Sequence, residues 1–431
     1  MKITITAIII LLIAVLATCV QPGSGTASDL RGDEYAGSEA CVNCHKPVYD
    51  SFLHTAHYRT SREASSLTVK GSFDPPGNSF TFRPGMSVAM ERRHSGLYQV
   101  ATVDGKEEEH RFDMVIGSGR KAQTFLYWDG NSAMQLPISY FVTLHSWANS
   151  PDFPPDRIWF GRSIPSRCFE CHSSYIEKKE PLQKDAFHQV DQFDRARILY
   201  GIDCERCHGP AGEHVRYQSE HPKDTVAHAI PRYADLSRQQ KLDMCAVCHS
   251  GTKEMQRSAF DFRPGDTLSH FYYPVSDING TAAKMDVHGN QYQLLTASQC
   301  FLQTNTLECG SCHGPHEKLR DTMAVFSTRC MNCHKPPGGP AGAAAGAAAI
   351  SGSANGAGQN GNPRFCKLAH SLGTAMLIKN CIDCHMPLQA SRVITLQTQG
   401  QLPPTANMVR SHLIAIYPEE AKKIIAAMKP R

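Results

Sequence analysis

"CERCHGPAGEH", residues 204–214, sets two cysteines three positions apart, a histidine directly after the second, and another histidine six residues later. Three chemistries use such a cluster: a zinc knuckle, a redox dithiol and a covalently held heme. The pattern recurs seven times, as "CVNCH" at 41, "CFECH" at 168, "CERCH" at 204, "CAVCH" at 245, "CGSCH" at 309, "CMNCH" at 330 and "CIDCH" at 381. Its irregular period excludes a solenoid repeat. A zinc site takes four ligands and gives no reason for histidine to follow the second cysteine every time. A redox dithiol gives none either. Two thiols so spaced reach both vinyl positions of one porphyrin edge, and the adjacent histidine then lies under the iron. The repeated order therefore selects covalent heme c, seven per chain.

The covalent attachment points are Cys41, Cys44, Cys168, Cys171, Cys204, Cys207, Cys245, Cys248, Cys309, Cys312, Cys330, Cys333, Cys381 and Cys384. The proximal iron ligands are His45, His172, His208, His249, His313, His334 and His385. The 21 histidines leave fourteen for other roles, enough for bis-histidine ligation throughout. Two histidines on opposite faces of one iron need α-carbons roughly 12 Å apart. His316 follows His313 by three residues, which span at most about 11 Å. It cannot cap its own heme and must reach a neighbour's. His214, about 9 Å from His208 along a helix, also reads as a ligand to another ring.

Composition agrees with a cofactor-filled interior. The 431 residues allow two or three domains, yet only 41% are hydrophobic and 8% aromatic, beside 17 cysteines. The net charge of +4, without a long basic run, argues against nucleic acid as a partner. The start, "MKITITAIIILLIAVLATC", reads as an export signal too short to span a membrane as an ordinary helix. Two outcomes stay open: lipidation at Cys19, since "LATC" resembles a lipobox, or cleavage near "GSGTA". Either exports the protein, to the periplasm or to the outer membrane of a bacterium as a lipoprotein.

Along the chain, residues 1–27 form the signal, 28–67 the first heme segment, 68–145 a β-rich insert and 146–335 the heme-dense core. Residues 336–362 are a Gly/Ala-rich linker expected to be a disordered surface loop, and 363–431 carry the seventh heme and a terminal helix. The insert alternates strand-like runs with "PG", "SG" and "DG" turns. "DQFDRARILYGIDC" (191–204) and "DLSRQQKLDMCAVC" (235–248) are helix-compatible, as is "EEAKKIIAAMK" near the end.

"CVNCHKPVYDSFLHTAH", "GIDCERCHGPAGEH", "LECGSCHGPHE" and "CIDCHMP" resemble the multiheme cytochromes c related to the nitrifiers' tetraheme electron carrier, hydroxylamine oxidoreductase and ammonifying nitrite reductase. The likeness covers 41–57 and 168–412. It implies distal iron ligands at His57, His214, His316 and His412. His288 is the fifth candidate, and His370, His228, His145 and His54 follow. The resemblance also implies a mainly α fold with extensive irregular structure wrapped around stacked hemes, the β subdomain being inserted after the first. Two departures limit it: no motif ends in lysine, as at the related reductases' catalytic heme, and there are seven motifs where hydroxylamine oxidoreductases carry eight hemes.

The expected function is electron transfer along closely spaced, mostly bis-histidine hemes, with other redox proteins such as periplasmic or membrane cytochromes as partners. The alternative is an oxidoreductase acting on hydroxylamine, nitrite or a sulfur oxyanion at one five-coordinate heme. Met386 cannot reach the far face of its own heme and reads as packing. Trp128, Trp147 and Trp159 read as core or heme-edge packing. Cys300 and Cys366 are left outside the motifs, paired or free.

Overall fold

The computed structural model describes residues 29–93, 96–251, 255–273, 285–317, 323–334, 366, 368, 374–398, 400 and 402–428. The segments expected from sequence to be an export signal (1–27) and a Gly/Ala-rich linker (336–362) lie outside these residues. Antiparallel strands dominate residues 61–163. A four-stranded meander runs Ser79–Arg83, Met86–Arg93, Gly96–Val103 and Lys106–Arg111. Its period is two: Met86, Val88 and Met90 point inward and their neighbours outward. Asp104 and Gly105, both at positive φ (48° and 84°), close the turn between Val103 and Lys106, the geometry a two-residue hairpin demands.

A seven-stranded sheet packs beside it. Ser61–Glu63, Met114–Ile116, Ala122–Asp129, Ser132–Gln135 and Arg162–Ser163 form its main path, and Ile138–Phe141 with Ser146–Asn149 branches from Ala122–Asp129. The two sheets share an aromatic-rich core of Phe73, Phe112, Phe125 and Trp147, whose ring centroids lie 4.7 to 6.2 Å apart. Trp147 is thus a core residue, and its indole nitrogen donates to the Ser72 carbonyl. The β region extends past 68–145 on both sides, and Ser61–Glu63 ties the first heme segment into the sheet.

The chain is not mainly α. Helix and strand are about equally represented, the strands forming four antiparallel sheets. Two hairpins lie among the heme motifs themselves, Ser173–Gln183 with Gln189–Tyr200 and Leu388–Leu396 with Thr405–Arg410. The first occupies the stretch 191–204 that reads as helix. Register shifts break its pairing in three places, so buried Val190 and Phe193 fall three residues apart and imitate helical spacing. Both strands pack against Met114, Leu126 and Phe169 through Phe193 and Ile176.

Helices appear where the motifs do. Those carrying motif residues are Ser38–Phe52, Ser166–His172, Cys204–His208, Arg238–His249, Met323–Cys330 and Thr374–His385, with a 3₁₀ turn at Cys309–Ser311, while Gly212–Glu220, Gln291–Thr296 and Gln299–Leu302 lie between motifs. The helix Pro418–Met428 closes the described chain. No helix among the described residues is long and apolar enough to cross a membrane.

Candidate functional site

Local structure gives each motif its shape. In a helical turn, residues i, i+3 and i+4 share a face, so both cysteines and the following histidine leave on one side. Four helices end at that histidine: His172, His208, His249 and His385. Asp203 caps the third motif by accepting from the Arg206 backbone N–H, and Gly209, at φ 79°, ends it immediately after His208. Ser237 and Gln240 form a capping box ahead of the fourth. The first motif is kinked, with His45 at φ −112°, ψ 29°.

Three pairs of histidine rings face each other between segments distant in sequence. His208 and His316 lie 5.9 Å apart between ring centroids, with 10° between their planes. His313 and His412 lie 6.2 Å apart at 24°, and His57 and His249 6.2 Å apart at 71°. Two imidazoles bound to one iron, with metal–nitrogen bonds of about 2 Å and ring centres about 1 Å beyond each nitrogen, stand about 6 Å apart. Each pair joins a motif histidine to a non-motif one, so the donor set and spacing fit a heme iron. Among the described residues no three His, Cys, Asp or Glu side chains converge as a metal site.

Two of the other motif histidines are oriented through Nδ1. His172 Nδ1 meets Thr60 Oγ1 at 2.9 Å, and His385 Nδ1 meets the Ala415 carbonyl at 2.9 Å. Such bonds fix the ring and aim Nε2 the other way. His214 carries the same device, its Nδ1 lying 2.8 Å from the His228 carbonyl. Burial, reinforced by neighbouring histidines, lowers three pKa values to about 4. His172 feels His249 and His288, His208 feels His316, His45 and His214, and His412 feels His249. Burial also lowers His316 and His288. These imidazoles are neutral near pH 7, the form that binds iron.

Cysteines of different motifs also touch. Cys41 lies beside Cys204, Cys171 beside Cys248, Cys245 beside Cys309 and Cys330 beside Cys381. Thus the first motif abuts the third, the second the fourth, the fourth the fifth and the sixth the seventh. Sequence alone gave no sign of these contacts. Nor did it mark Arg31, which holds the segment before the first motif against the third through Asp203 (2.7 Å) and Glu205 (3.0 Å).

The remaining candidates are placed as follows. His228 turns its ring to Tyr217 (4.3 Å) and its Nε2 to Asp224 (3.1 Å). His54 meets Arg59 at 2.8 Å on the surface, and His145 sits in a left-handed turn at φ 49°. His370 lies outside the described residues. Cys300 and Cys366 are both free thiols, and the Met386 carbonyl accepts from Arg410.

No family model matches the chain. Over 190 residues it is 23% identical to the Multiheme cytochrome MtrA of Shewanella baltica (strain OS185), covering 40% of this chain and 53% of the relative. The chain thus spans about half the length of that curated relative. Its fold is similar to the crystal structure of the Outer Cell Wall Cytochrome OcwA, with a TM-score of 0.51 at 15% identity over 90% of this chain and 81% of that one. These likenesses support a multiheme c-type cytochrome and the mixed α and β fold. They do not single out the hydroxylamine oxidoreductase and nitrite reductase relation.

Proposed function

We propose that this chain is an exported heptaheme c-type cytochrome that carries electrons between redox proteins. The observation that carries the reading is the set of three histidine pairs about 6 Å apart, each joining a motif to a remote segment. His316 serves the heme of Cys204, Cys207 and His208; His412 that of Cys309, Cys312 and His313; His57 that of Cys245, Cys248 and His249. His208 has both His214 and His45 close to it, so we assign His214 to the first motif, and His288, close to His172, to the second.

Covalent heme supplies one-electron chemistry, and two histidines per iron keep it low-spin with no open position. The protein's part is spacing and environment. The cysteine contacts set the motifs edge to edge, giving a path from first to third and from second through fourth to fifth, with sixth and seventh paired. Burial keeps the ligands neutral and excludes water. Export accords with attachment chemistry that works outside the cytoplasm and with the N-terminal signal. Other cytochromes of the cell envelope are the natural partners, and lipidation at Cys19 would hold the protein at a membrane. The motif-level resemblance to hydroxylamine oxidoreductase makes an oxidoreductase of hydroxylamine, nitrite or a sulfur oxyanion the second reading.

Electron paramagnetic resonance of the fully oxidised holoprotein separates the two. Low-spin ferric signals alone are expected of the conduit. A high-spin signal that changes on adding nitrite or hydroxylamine would put the enzyme first.

A further inference from the structure

Residues 57–62 thread between two motifs. The His57 ring faces His249, Thr60 Oγ1 meets His172 Nδ1, and Ser61 Oγ accepts from the Gly201 backbone N–H. Gly201 is required there: at φ 69° a β-carbon would stand 2.1 Å from the Tyr58 carbonyl oxygen. Arg62 follows Thr60 by two residues, in the strand Ser61–Glu63, where Ser61 is buried and Arg62 half-buried.

Arg62 is a cation without an anion. Its Nε and Nη2 are shielded from solvent and have no hydrogen-bond partner. No carboxylate among the described residues pairs with it, and burial and the neighbouring cation Arg59 both disfavour its charge. Arg59 is itself spent on the Leu53 carbonyl and His54 Nδ1. Two other arginines beside the motifs, Arg167 and Arg206, have an unpartnered Nε, yet each is held through its terminal nitrogens by Glu170 or a backbone carbonyl. A half-buried guanidinium with two shielded nitrogens left unpartnered is unfavourable until an anion meets them. Its fork of donors matches a carboxylate.

We propose that Arg62 anchors a propionate carboxylate of the heme attached at Cys168 and Cys171 and ligated by His172. The proposal rests on the heme reading above. The same chemistry would serve a free oxyanion, and the test distinguishes the two.

Wild-type holoprotein, Arg62→Gln and Arg62→Lys are first compared by intact mass. A wild type without heme refutes the heme reading itself. With hemes present, a spectroelectrochemical titration tests Arg62. Loss of its charge leaves the propionate uncompensated and favours ferric iron, so one heme component of Arg62→Gln is expected to move to lower potential while the others stay. Arg62→Lys keeps the charge and moves less. Should Arg62→Gln fail to accumulate, Arg62→Lys carries the test through its propionate bending mode in resonance Raman spectra, which must shift as the bidentate contact becomes a single one. Unmoved potentials in Arg62→Gln, an unmoved propionate mode in Arg62→Lys, or a sulfite-induced spectral change present in wild type and absent in Arg62→Gln without any potential shift, would each overturn the proposal.

Discussion

At the scale of single residues, the account stands on which histidine faces which. His316→Ala is expected to leave an open iron at the heme of His208, not of His313, and His412→Ala at the heme of His313. High-spin signals located by heme-peptide mapping with a bound exogenous ligand check both, and a vacancy at His316's own motif would contradict the pairing. Acid gives a second check. Burial holds the folded imidazoles of His172, His208 and His412 below the unfolded value of about 6.5, and binding to iron acts in the same direction, so the unfolded chain takes up protons first. Stability is complete above about pH 6.5 and declines as pH falls below it, and the urea midpoint is expected to be lower at about pH 5 than at about pH 7. The attachment cysteines and proximal histidines are assigned from sequence alone, because porphyrin geometry dictates local spacing, and remain proposals. That His316 must look elsewhere was legible too, from chain reach alone. Which ring it meets was not, since the meeting of His316 with His208 depends on tertiary packing across a hundred residues.

At the scale of elements, buried polar groups decide which pieces hold. Arg31, with a 6% exposed side chain, binds Asp29, Asp203 and Glu205, and Glu205 also accepts from the Ala36, Gly37 and Ala211 backbone N–H groups. Arg31→Ala strands three carboxylates, and a loss of about 3–5 kcal/mol is expected, read as a lower Tm. In the β region, Gln99 is fully buried and closes two hydrogen bonds with the Ile138 backbone. Gln99→Ala leaves both backbone groups unpaired and should cost about 2 kcal/mol in chemical denaturation while heme content stays unchanged. The strands of the insert were legible from period-two alternation and the Asp104–Gly105 turn. The hairpin at 173–200 was not: its bulges spoil the alternation, and the signal that remained pointed to a helix. The mainly α expectation failed on this hairpin, on the one at 388–410 and on the seven-stranded sheet that reaches into the first heme segment.

At the scale of the whole molecule, the contacts between motifs and the crossed histidines His208/His316, His313/His412 and His57/His249 make all seven motifs neighbours of one another in turn, the arrangement on which the proposed conductor rests. Rapid mixing with a soluble reductant is accordingly expected to reduce the hemes together, with no isolated slow fraction. All of this depends on the motifs holding heme rather than zinc or disulfides, and intact mass of the mature protein under denaturing conditions tests that most directly. The account predicts the polypeptide mass plus seven covalent heme increments. A mass lacking them, or reduced only by the hydrogens lost to disulfides, would contradict it.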